Sequence, residues 1–340
     1  MAVHSERVQT RSPESEKAEM ANTEKIAAPA AGGTPTNSRP ATGPSLLTRS
    51  APYLLLLPAI LATVFLLGWP LLKTVLVSFQ NLNSRQLVQH LTEWDGFENY
   101  TEQLSSAEFW HTTGRSIAFT VLNVLLIMVG GTLVGLLLNR LGKWMRLVLS
   151  ISLILAWAMP IVASTTVYTW LFDQQYGVVN YLLDQLGWHG MADFNWFSTQ
   201  TSTFFVILLL LVWGSIPFVA FNMYAGLTTI PAEMYEAARM DGAGPFKIFT
   251  AVVFPSLKPF FLATTFLEII WIFKAFTQVF AMNMGGPQRL TETLPVYAFI
   301  EGVSNNHYGT GSAIAVLTIV MLGVLMAYYF RVILKQEDEL

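Results

Sequence analysis

Residues 230–259 read IPAEMYEAARMDGAGPFKIFTAVVFPSLKP. This stretch carries Glu233, Glu236, Arg239, Asp241, Lys247 and Lys258 between two strongly apolar segments. A lipid interior tolerates such a run of ionisable groups poorly, so the stretch belongs in water. Its pattern predicts two short helices. Pro231 suits a first helical position, where no backbone N–H is needed. Glu233 then lies near the positive end of the helix dipole. Ala232, Tyr235 and Ala238 recur at helical spacing, and Gly242, Gly244 and Pro245 stop the helix. A second helix is expected from Pro245 to about Phe254, ending before Pro255 and Pro259.

Outward from this insert, the chain is overwhelmingly apolar. Of its 340 residues 53% are hydrophobic and only 12% charged, and the mean hydropathy is +0.48. That balance marks an all-α integral membrane protein with several spans. A net charge of −3 gives no reason to expect nucleic-acid binding. The absence of cysteine excludes disulfides, thiol nucleophiles and thiolate metal sites. The five histidines show no metal-binding spacing, and no G-x-x-x-x-G-K-[ST] phosphate loop occurs, so the chain holds no ATP site of its own.

Residues 1–44 are rich in Ala, Pro, Ser, Thr, Glu and Lys and form an expected disordered tail, with residues 45–340 as the membrane domain. Six spans are expected, near 52–80, 113–139, 147–172, 203–229, 260–284 and 310–333. Pro58 and Pro70 should kink the first, Pro160 bend the third and Pro217 break the fourth. Gly131 and Gly135 in the second permit close helix contact, with no sign of which helix is the neighbour. The triplet Asn99-Tyr100-Thr101 fits a glycosylation acceptor but is short enough to arise by chance, and is discounted.

Arginine and lysine set the orientation. One side holds Arg140, Lys143, Arg146, Arg239, Lys247, Lys258, Arg331 and Lys335; the opposite loops hold Arg85 and Arg289, with Arg115 at a span's edge. The richer side is the cytoplasmic one, which puts both termini and residues 230–259 inside.

The segment EAARMDGAGPFKIFTAVVFP resembles the EAA loop of membrane-spanning subunits of bacterial ABC importers. Glu236, Ala237, Ala238, Gly242 and Pro255 match its spacing, and Val252 and Phe254 replace the usual Ile and Leu. The resemblance implies a coupling helix between spans four and five that docks on a cytoplasmic ATPase, through Glu233, Tyr235, Glu236, Ala237, Ala238, Arg239, Asp241, Gly242 and Pro255. The small Ala237 and Ala238 would allow close approach of the partner, and Gly242 can take a positive φ to turn the chain.

Pro52-Tyr53, Glu98-Asn99-Tyr100, Gly285-Gly286-Pro287 and Thr291-Glu292-Thr293-Leu294 are similar to the carbohydrate-uptake branch of that family, related to maltose and glycerol-phosphate permeases. That likeness implies a sugar importer subunit of the bacterial plasma membrane working by alternating access. Its implied partners are a second, similar permease, two ATPase subunits carrying ATP and Mg, and an extracytoplasmic sugar-binding protein.

Charges at membrane depth are candidates for a transport path. On one continuous helix, Glu268, Trp271, Lys274 and Gln278 would share an arc of about 120°, offering a carboxylate, an indole, an ammonium and an amide. Such a set binds sugars, or else forms a polar seam against a neighbouring helix. Trp213 and Asn222 in the fourth span are further candidates. The competing class is an ion-coupled secondary transporter, in which Glu268 and Lys274 serve the coupling ion. The residues offer no convincing catalytic cluster for a membrane-embedded enzyme.

Overall fold

The computed structural model describes residues 46–337; the tail expected over 1–44 lies outside them. The chain divides into two units, Met1–Ala62 and Thr63–Leu340. The first carries α1 (Leu46–Thr63) as far as Ala62. Among the described residues all regular elements are helical, and strand-like pairing is confined to two isolated bridges.

In the second unit a π turn at Val64–Gly68 precedes α2 (Trp69–Val77), which has Pro70 in its first turn. The missing N–H of Pro70 is absorbed there by a widened turn. The short α3 (Ser84–Val88) and α4 (Glu98–Ser105) follow in the first outer loop. Asn99 of α4 is buried and donates to the carbonyls of Ser78 (3.2 Å) and Gln80 (3.0 Å), while accepting from Thr310 (3.2 Å). Its amide is therefore fully engaged as a staple, which agrees with discounting the glycosylation triplet.

The long α5 (Ala107–Arg140) leads to α6 (Lys143–Ala158) and α7 (Ile161–Leu171). The last two meet at 98°, so the third span is broken rather than bent. Pro160 is the cause: it offers no N–H, and Met159 before it is forced to extended backbone (φ −67°, ψ 129°). After α8 (Val178–Gln185), α9 (Gln200–Thr228) continues as one helix through Pro217. The expected break is absent, because one lost backbone bond is tolerated where a membrane helix is supported by its neighbours. That support comes from α5. A Cβ on Gly131 would collide with Val219, and one on Gly135 would lie 2.9 Å from both the Ala220 carbonyl and the Met223 Cβ. The glycines thus let α5 and α9 approach backbone to backbone, around the fully buried Ile127, Val206, Ile207 and Met223.

The loop helix α10 (Ala232–Met240) precedes α11 (Pro245–Ile248), a π turn at Phe249–Val253 and α12 (Phe254–Phe273). A break at Lys274–Phe276 separates α12 from α13 (Thr277–Asn283). Then come α14 (Leu294–Phe299) and α15 (Tyr308–Glu337). Among the described residues five helical stretches are long and apolar enough to cross a membrane, and the bent pair α6–α7, counted as one span, brings the number to six.

The outer loop before α14 is clamped onto α5. Arg289 donates to Glu292 (Nε–Oε1, 2.6 Å) and Glu301 (2.7 Å), Arg115 donates to the Arg289 carbonyl (3.0 Å), and the Leu294 N–H reaches the Ser116 hydroxyl (2.8 Å). Burial pushes the Glu301 carboxyl up, but hydrogen bonds from Asn305 and Arg289 outweigh it and hold the group below its usual range. Glu292 is fully buried whereas Arg289 is 42% exposed. Replacing Arg289 by Ala strands a buried carboxylate, a loss of about 1–3 kcal/mol given the solvent reaching the guanidinium. Thermal unfolding in detergent should show a lowered midpoint, partly restored when Glu292→Gln is added; an unchanged midpoint in Arg289→Ala would contradict the clamp.

Candidate functional site

The inter-span loop is built on a helix whose two sides differ. Pro231 caps α10 in extended conformation (φ −59°, ψ 142°), one position earlier than its expected place, and Glu233 stands in the first turn. Tyr235 and Ala238 turn inward onto the chain's own core. The Tyr235 hydroxyl is buried without a hydrogen-bond partner among the described residues, and burial raises the phenol above its ordinary pKa. Glu233, Glu236, Ala237, Arg239 and Asp241 face solvent. Of the two alanines expected to face a partner, only Ala237 is therefore free to do so.

The helix ends in a Schellman motif. The Ala243 N–H bonds the Ala238 carbonyl (2.9 Å) and the Gly242 N–H bonds that of Arg239 (3.0 Å). Gly242 supplies the left-handed residue this requires, with φ +75°. A Cβ there would meet nothing within 4 Å, so the demand for glycine is purely conformational. Downstream, the second short helix does not end before Pro255. The π turn at Phe249–Val253 shifts the hydrogen-bond register, Pro255 falls in the first turn of the resumed helix, and Pro259 is carried inside α12. The loop is thus continuous with the fifth span. Sequence reading missed the apolar side chains left exposed around it: Met234, Met240 (88% exposed) and Phe246 (80%). Their signal was available as large apolar residues scattered among the charges of a wet loop.

A cavity of about 90 Å³ lies where α6, α7, α9, α12 and α13 meet. It gathers four of the six pathway candidates: Trp213, Glu268, Trp271 and Gln278. Met159, Ile161, Ser164 and Ser215 join them from segments distant in sequence. Lys274 and Asn222 do not line it. Lys274 sits in the backbone break, exposed, with its Nζ 5.9 Å from the centre of the Trp271 ring. The break ends the continuous face on which it was expected to align with Glu268. Asn222 donates to the Phe218 carbonyl one turn back (2.8 Å). Glu268 is only 1% exposed, and its Oε2 has no hydrogen-bond partner among the described residues.

The chain is 65% identical, over 85% of its length and 88% of the relative's, to the diacetylchitobiose uptake system permease protein DasB of Streptomyces coelicolor. It is 34% identical, over 84% of its length and 90% of the relative's, to the sulfoquinovosyl glycerol transport system permease protein SmoG of Agrobacterium fabrum. It is 31% identical, over 82% and 92%, to the trehalose/maltose transport system permease protein MalF of Thermococcus litoralis. Its fold matches the crystal structure of a bacterial ABC transporter involved in the import of the acidic polysaccharide alginate, with a TM-score of 0.74 over 85% of this chain and 97% of that one at 18% identity. Residues 115–337, from the first third of α5 to the end of α15, match the family described as binding-protein-dependent transport system inner membrane component, and the chain belongs to that family.

Proposed function

We propose that this chain is a permease subunit of an ATP-driven importer of neutral disaccharides or short oligosaccharides, with an N-acetylated disaccharide of the diacetylchitobiose type as its substrate class. The observation that carries this reading is the 65% identity, along most of both chains, to a diacetylchitobiose uptake permease. The chain sits in the bacterial plasma membrane with both termini cytoplasmic, in keeping with the Arg and Lys bias of its loops.

A cytoplasmic ATPase subunit receives α10. Glu233, Glu236, Arg239 and Asp241 offer it charges, and Met240 and Phe246 offer apolar anchors beside the Gly242 turn. ATP and Mg are bound by two such subunits. A second, similar permease completes the path: ligand pockets run to roughly 300–1,000 Å³, while this chain encloses about 90 Å³ around Glu268, Trp271 and Gln278. An extracytoplasmic binding protein delivers the sugar when the spans open outward, and hydrolysis returns them inward.

Affinity purification in mild detergent from the native host tests the assembly. An ATPase and a second permease should accompany the chain and be lost when residues 233–242 are scrambled. Recovery of an ATPase-free protein that still transports would overturn the reading in favour of an ion-coupled carrier. For the pathway, Trp271→Ala should lower uptake about tenfold, the loss of one well-stacked ring, with the complex assembled normally. Unchanged uptake would make Trp271 a packing residue.

A further inference from the structure

We infer that α8 lies in the membrane surface on the side opposite α10, with one of its sides sunk among the lipids where headgroups meet acyl chains. A loop helix in water turns its polar side out; α8 does the reverse. Val178, Tyr181, Leu182 and Leu186 share an arc of about 140°, and all four are exposed, Leu186 by 77%. Tyr176 and Trp188, just before and just after the helix, are exposed with them. The opposite side carries Asn180, which is buried. Its amide donates to the carbonyls of Gln174 (3.3 Å) and Phe194 (2.9 Å) and accepts from the Trp196 indole (2.6 Å). Turning Asn180 outward would strand those groups, so the helix cannot roll to hide its apolar side. The approach from α7 is fixed as well. The Asp173 carboxylate accepts from the N–H groups of Gln175 (2.9 Å) and Tyr176 (2.8 Å), and a Cβ on Gly177 would collide with the Asp173 backbone.

Large apolar side chains grouped on one surface mark a contact site, unlike the single ones scattered over any protein. Lipid is the occupant that the surroundings favour. α7 belongs to a membrane span, and its own exposed stripe of Val162, Thr166 and Trp170 leads through residues 172–177 into the exposed side of α8. The lipid that covers the first surface continues onto the second. Tyrosine and tryptophan concentrate at membrane–water boundaries, where the ring meets acyl chains and the polar tip meets water. Residues 173–199 contain no Lys or Arg, so the contact rests on apolar insertion and owes nothing to anionic headgroups. Asp184 falls outside the arc and bonds His189 (2.7 Å), which leaves the arc free of carboxylates and bases.

The chain contains no cysteine, so single labels can be placed on it without further substitution. Leu182→Cys, Leu186→Cys and, as the water reference, Asp193→Cys are each labelled with a small fluorophore. The labelled chain, with the subunits that purify alongside it, is set in nanodiscs of phosphatidylcholine, and the same preparation with the unsubstituted chain gives the background. Three quenchers are compared: phosphatidylcholine bearing a nitroxide just below the headgroup, the same lipid with the nitroxide at the end of its acyl chain, and iodide in the water. A helix seated about 5–10 Å into the boundary should place the labels at 182 and 186 beside the shallow nitroxide, which should quench them at least about twofold more than either other quencher. The label at 193 should respond chiefly to iodide. Exchanging part of the lipid for phosphatidylglycerol should leave the pattern unchanged. Iodide as the strongest quencher at 182 and 186 would leave this side of α8 in water, and protection from all three would assign it to a protein neighbour; either result overturns the inference. Two exposed positions keep the test decisive where one variant fails to assemble, and the readout is independent of what the chain transports.

Discussion

Gly242→Pro is expected to abolish uptake, by about a hundredfold or more, in a protein that still inserts and reaches the membrane in normal amount. Proline fixes φ near −65°, and residue 242 sits at +75°. It also removes the N–H that bonds the Arg239 carbonyl. The Schellman turn cannot close, and α11 leaves α10 in a different direction. Since the turn joins α10 to the helical path into the fifth span, on the proposed coupling role the loss falls on transmission and leaves the spans intact. Gly242→Asn provides the contrast. No side chain crowds the position, and asparagine tolerates the left-handed region at small cost, so that variant should retain most uptake. Sugar-stimulated ATP hydrolysis by the Pro variant at the wild-type rate would refute the account, and so would an Asn variant as inactive as the Pro one.

Gly131→Leu should prevent the chain from folding to a stable permease at all. A Cβ at that position falls on the side chain of Val219, and α9 cannot retreat without unpacking Gly135 from Ala220 and Met223. Overpacking a well-filled core costs about 1–3 kcal/mol when side chains can yield; here backbones are in the way, so the loss lies at or beyond the top of that range. Gly114, earlier on the same helix, is the control, since a Cβ there meets nothing. Gly114→Ala should leave the melting temperature unchanged or slightly raised, as alanine favours helix. Size-exclusion profiles and melting in detergent distinguish the two; a monodisperse Gly131→Leu protein with wild-type melting would mean the glycines do not set the α5–α9 contact.

Much of this architecture was legible in the residues. The charged insert, the glycine that ends its helix and the span count all followed from local chemistry, because each depends on a few neighbouring side chains. Proline was the weak point. Pro160 breaks its span, whereas Pro217 and Pro259 sit inside helices. The local rule supplies the lost hydrogen bond, but packing decides whether the helix yields. The break at Lys274–Phe276 contains neither Gly nor Pro and carried no signal, so a face drawn across it misplaced Lys274. Trp213 and Glu268 were found as polar or aromatic residues at membrane depth, yet their meeting with Ser164, Ser215 and Met159 depends on how distant helices cross.

The two backbone breaks share a location. Met159 and Ile161 flank one, Trp271 and Gln278 flank the other, and all four border the same cavity. Beside them α9 is a stiff post of 29 residues, roughly 44 Å at the usual rise, locked to α5 by its glycines. Beyond the π turn at Phe249–Val253 the chain runs as the single helix α12 as far as Phe273, and its next interruption, at Lys274–Phe276, lies next to the cavity. The cavity wall thus carries two elbows in its backbone, at Met159–Pro160 and at Lys274–Phe276. The same elbows interrupt the helical hydrogen-bond ladder, and irregular backbone at membrane depth is tolerated only against protein or water. The irregular backbone and the polar side chains of Glu268 and Gln278 thus border one and the same cavity.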